Sequence, residues 1–136
     1  MMRSVVAVLA GLGSVSILVE LLEVALVSAV AGSAVTDMTS YFAVKNRPMM
    51  LGAQLGYNSI AAVLGGYLTA KLAGTREMLH GAAAALLKMA ALAWGFTLGD
   101  YAEFTPAWMR IMLVLLTGPA MLAGASIRAR AVRSGS

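Results

Sequence analysis

Cysteine is absent from the 136 residues, so disulfides, thiolate nucleophiles and thiolate metal sites are all excluded. Redox compartment is therefore not written in the chain. His80 is the single histidine, which rules out a multi-histidine metal site or a bis-histidine haem within one chain, and no cofactor is implied. No nucleophile elbow, phosphate-binding loop or Glu-x-x-His helix pair occurs, so an enzyme is not expected. Charge is scarce as well. Only 12% of residues are charged against 60% hydrophobic, too few to solvate a soluble surface of this size, and mean hydropathy is +0.84.

Four long apolar stretches fill the chain, each with at least the roughly 20 residues that cross a hydrocarbon core of about 30 Å, the first longer than one straight crossing requires. The expected fold is an all-α membrane protein, one domain over residues 1–136, with transmembrane helices at about 5–35, 49–73, 76–99 and 106–127. The first stretch follows Arg3 and has a signal-like Ala29-Val30-Ala31, but it is too long for a signal's apolar region and carries two acids; it is expected to stay attached. The polar stretch 36–48, with Tyr41 and Phe42 among Asp37, Lys45 and Arg47, reads as a loop or a short interfacial helix. Pro48 suits the first turn of the second helix. Gly74 as a left-handed C′ residue, Thr75 as cap and Glu77 in the next first turn predict a tight antiparallel hairpin of helices two and three. Thr105 as N-cap and Pro106 at N1 start the fourth helix.

The basic residues predict orientation. Arg3, Lys71, Arg76, Arg128, Arg130 and Arg133 fall at one end, against Lys45, Arg47 and Arg110 at the other, so both termini are expected in the cytoplasm. Trp94, Tyr101, Phe104 and Trp108 then form an aromatic belt at the outer interface. Arg128, Arg130 and Arg133 are placed to meet anionic lipid, and the net charge of +4 reads as topological rather than as a nucleic-acid footprint.

Three ionisable residues lie inside the apolar stretches: Glu20 and Glu23 in the first, Lys88 in the third. An ionisable group near the bilayer centre costs roughly 2.5 to 3.5 kcal/mol on insertion scales, so it needs a partner or a task. Counted at about 1.5 Å per residue, the three overlap in depth, and Lys88 is expected within ion-pair reach of Glu20 or Glu23 or of an acid on a partner chain. Gly13, Ser16, Glu20 and Glu23 share one helical stripe, and Gly81, Ala84, Lys88, Ala91 and Gly95 another. Small residues permit close backbone approach, so these two helices are expected to pack with their charged faces inward. The second helix adds Gln54 and Asn58 on one face, and Gly52, Gly56 and Ser59 as a packing stripe. Pro119 is expected to bend the fourth helix.

The opening Met2-Arg3-Ser4, Gly65-Gly66-Tyr67 with Ala70 and Ala73, His80-Gly81, Pro106-Ala107-Trp108, Gly118-Pro119-Ala120 and Arg128-Ala129-Arg130 resemble a group of small uncharacterised bacterial four-helix integral membrane proteins. The resemblance spans most of the chain and implies a bacterial inner membrane and four helices; Glu20, Glu23 and Lys88 lie outside its pattern. Two function classes follow from the residues. One is an accessory or scaffolding subunit that packs against other membrane helices, or against itself, through its intramembrane charges. The other is a small oligomeric proton- or cation-coupled transporter or channel that uses the carboxylates. Four helices enclose little volume and no selectivity filter is visible, which favours the first.

Overall fold

The computed structural model describes residues 2–100 and 102–135, and within them the chain is all helical. The elements are α1 (Met2–Ala31), α2 (Met38–Lys45), α3 (Pro48–Ala73), α4 (Glu77–Leu98) and α5 (Ala107–Ser134), with a 3-10 turn at Ala102–Phe104.

Local chemistry sets most of the boundaries. Gly32, at φ +77°, ends α1 four residues before the expected limit, because glycine enters the left-handed region without a Cβ penalty. Asp37 caps α2, its Oδ1 accepting from the Ser40 N–H at 2.8 Å, so the polar stretch is a short helix and not a loop. Pro48 occupies the first turn of α3 and Gly74, at φ +71°, its left-handed end. Arg76, not Thr75, precedes α4, at φ 48° and with no side-chain cap. Pro106 rather than Thr105 precedes α5, and Thr105 is buried. The last helix runs on through the basic tail to Ser134, since nothing between Arg128 and Arg133 breaks it. Tyr101, expected in the aromatic belt, lies outside the described residues.

Three helices, α1, α4 and α5, are long and apolar enough to span a membrane. At 26 residues α3 has the length, about 39 Å, but Gln54, Tyr57, Asn58 and Lys71 make it more polar. It is also the most buried helix, lying between α1 and α5, while α4 packs more on α5 than on α3. In the ring α1–α3–α5–α4, the α1–α4 seam is the thinnest.

Adjacent glycines on opposite sides of α3 hold its two main contacts. A Cβ at Gly65 would strike Val15 of α1, and Gly11 faces Thr69 in return; a Cβ at Gly66 would strike the Met121 backbone, and Gly124 faces the Val63 carbonyl. Close backbone approach is what small residues contribute where dispersion rather than water expulsion drives helix association. Gly81 presses on Ala125 of α5. The expected stripes otherwise differ: a Cβ at Gly13, Gly52, Gly56 or Gly95 would meet no atom within 4 Å, so these positions face outward, and Ser59 is half-buried. The Gly52-Gly56 spacing sits on the side of α3 turned away from its partners.

Candidate functional site

Glu23 lies on the buried face of α1, only 8% exposed, in line with Ala7, Gly11, Val15 and Val27 at spacings of four or eight. Its Oε1 accepts from the Tyr41 hydroxyl and from Lys45 Nζ, both at 2.6 Å, and its Oε2 accepts from the Tyr57 hydroxyl at 2.8 Å. Tyr41 and Lys45 are four apart on α2 and so share a face, which the Asp37 cap and the Lys45–Glu23 ion pair turn toward α1. Tyr57 reaches in from α3. Phe42 stacks on Phe104 with centroids 5.1 Å apart, and Asn46 Nδ2 donates to the Phe104 carbonyl, which ties α2 to the turn before α5. Burial and the hydrogen bond to Glu23 push the Tyr41 hydroxyl well above the ordinary phenol range. Asp37 is held below the usual carboxylate range by the Ser40 N–H.

Lys88 sits elsewhere. Its Nζ donates to Ser16 Oγ at 2.8 Å across the α1–α4 seam, and Glu20 is near enough to attract it electrostatically without forming an ion pair among the described residues. Ser16 and Glu20 are exposed and Lys88 is half-buried. The expected single cluster of Glu20, Glu23 and Lys88 is therefore two. One carboxylate is saturated inside the bundle by α2 and α3; the other stands on the outer surface beside a lysine. The charged faces of α1 and α4 do not both turn inward, because the face of α1 that holds Glu23 is filled by α3 and α2.

Glu20, Glu23, Tyr41 and Lys45 line an outward-opening cavity of about 290 Å³. Gln54, 4% exposed, has no hydrogen bond at its Oε1 among the described residues, while Asn58 donates to the Gln54 backbone carbonyl; neither joins the Glu23 cluster. His80 stays with its own helix, Nδ1 lying 3.1 Å from the Arg76 carbonyl. Among the described residues no three His, Asp or Glu side chains gather to hold a metal ion.

Lys45, Tyr41 and Tyr57 were not anticipated as partners of Glu23. The signal for the first two was the i, i+4 pair within an amphipathic stretch next to a helix carrying an acid. Comparison with protein-family models, curated proteins and solved structures finds no match to this chain.

Proposed function

We propose that this protein is a non-enzymatic accessory or scaffolding subunit of a bacterial inner membrane. All four long helices cross the bilayer, both termini lie in the cytoplasm, and the chain docks laterally against other membrane helices. The observation that carries this reading is the outward-facing trio Ser16, Glu20 and Lys88. Lys88 stands about 16 Å along an α4 of about 33 Å, which is mid-bilayer if α4 spans it. Polar groups at that depth are costly against lipid, whereas Glu23 has its needs met within the fold. The rest of the outer surface supports a lipid setting: Leu9, Ile17, Leu21, Leu86 and Ile111 are all exposed. The polarity of α3 is consistent with crossing because its partners, not lipid, cover Gln54 and Tyr57.

Purification in mild detergent, followed by identification of co-migrating membrane proteins, tests the reading. A stable assembly that Glu20→Gln and Lys88→Met weaken is expected; a monomer indifferent to both changes would overturn it.

A second reading, a small oligomeric proton- or cation-coupled transporter, draws on the cavity that Glu20 and Glu23 share. It calls for pH-dependent flux in vesicles that Glu20→Gln abolishes.

A further inference from the structure

The α1–α4 seam is open to the outside, because these two helices touch least around the ring. Toward the N-terminus of α1 it is an apolar trough of about 400 Å³, lined by Val5, Val8, Leu9, Leu79, Ala83 and Leu87. Halfway along, Ser16 and Lys88 bridge it, and Glu20 stands one turn further on. Beyond Lys88 on α4, the small residues Ala91 and Gly95 line a second hollow, of about 300 Å³, with Phe42 and Lys45 of α2.

Beside the Lys45–Glu23 pair, which is closed on itself, the charges left without an ion pair on this face among the described residues are one acid and one base, offset by about one helical turn, or about 6 Å. The Lys88 ammonium has three donors, of which Ser16 takes one, and Glu20 has no hydrogen bond or ion pair among the described residues. A partner helix bearing one sign of charge would satisfy one of these groups and strand the other. The surface that satisfies both is the same surface turned by a two-fold axis along the bilayer normal. In such an isologous contact Lys88 of each copy meets Glu20 of the other, and the net charge of the four groups is zero.

We infer that the α1–α4 face is a self-complementary interface through which two copies of this chain associate side by side in the same orientation, with reciprocal Lys88–Glu20 ion pairs between them. The inference rests on the lateral-docking reading above and names the partner. The small residues Ala91 and Gly95 let the copies approach, and the apolar trough buries their leucines.

Charge reversal in pairs tests it. A chain with Glu20→Lys carries two bases on the face, and one with Lys88→Glu carries two acids, so each alone is expected to lose at least ten-fold in dimer fraction, measured by exchange between differently tagged copies in vesicles. Co-expression of the two single variants is expected to restore association as a mixed dimer at the parental level, and the double variant to restore it with itself. The absence of native cysteine makes a second measurement clean. Ala91→Cys is expected to form an oxidative cross-link between copies, and Ile60→Cys, exposed on the opposite helix α3, is not. Parental self-association by both single charge variants, or failure of the mixed pair to recover, overturns the inference. A parent that is monomeric in the vesicles but binds a different membrane protein in a Glu20- and Lys88-dependent way overturns the two-fold pairing and leaves the docking reading standing. Indifference of every association to these residues sinks both.

Discussion

At the scale of single residues the two lysines that share apolar surroundings differ in what they hold. Lys45 and Glu23 are both largely buried and directly paired, and removing one partner of such a pair costs about 3–5 kcal/mol because the other charge is stranded. Lys45 lies in the last turn of the short α2 and reaches water after a small shift, which moves the expected loss for Glu23→Gln toward the lower figure. Tyr57→Phe removes one hydrogen bond to a charged acceptor, about 1.5–3 kcal/mol. Lys88→Met removes a bond from a charged ammonium, but an exposed bond that solvent screens, about 1 kcal/mol in the isolated chain. Thermal unfolding in detergent, followed by circular dichroism, should rank the three in that order; a larger loss for Lys88→Met than for Glu23→Gln would return the main ion pair to Lys88. Asp37 adds a pH dependence. Its folded pKa is below the ordinary 3.8, so its support for α2 is complete above that value and is lost as pH falls through the lower folded one. Pepsin cleavage between residues 32 and 47 should therefore rise as pH is taken below 3.8, and Asp37→Ala should show the raised cleavage without that step.

At the scale of elements, the glycines divide into those that set interhelical distance and those that do not. Gly66→Leu would drive a side chain into the Met121 backbone and Gly124→Leu one into the Val63 carbonyl, neither of which yields as a flexible side chain does. Each is expected to cost upwards of the roughly 1–3 kcal/mol of ordinary overpacking and to separate α3 from α5. Gly56→Ala has free space and removes a helix-weakening residue, so it should raise stability by about 0.5–1 kcal/mol; a loss there would mean that a partner fills the space. This division explains what was legible beforehand. Apolar length and the punctuation at Gly74 and Pro48 are local properties, and they located α3 and α4 to within a residue or so. Which stripe faces which helix is not local: Gly52 and Gly56 are the same residue on the same helix as Gly65 and Gly66, and only the packing of α3 on α1 and α5 separates them. The partner of Glu23 was hidden for a related reason. Lys45 lies 22 positions away beyond a left-handed glycine, and a chain reversal there folds α2 back onto the end of α1.

At the scale of the whole molecule the helix directions gather the basic residues by end. Arg3 Nε donates to the Leu72 carbonyl at 3.0 Å, which fixes the start of α1 beside the end of α3, and Gly81 against Ala125 brings the start of α4 to the same end as the tail of α5. Arg3, Lys71, Arg76 and the arginines after residue 127 therefore share one end, while Lys45, Arg47 and Arg110 share the other with Trp94 and Trp108. An excess of Lys and Arg is retained on the cytoplasmic side, so the first end is expected there. The number of crossings enters the same measurement. If only the three most apolar helices crossed, α1, α4 and α5, the termini would lie on opposite sides of the membrane; if α3 crosses as well, they lie together. Reporter fusions to each terminus and within residues 100–105 separate the possibilities. The expected outcome is cytoplasmic signal at both termini and outer signal at the internal site. Termini on opposite sides would remove α3 from the membrane, and with it the geometry in which Tyr57 satisfies Glu23 beside lipid-facing α1. Both termini outside would keep the bundle and invert it, placing the six-arginine-and-lysine end against the rule that governs charge retention.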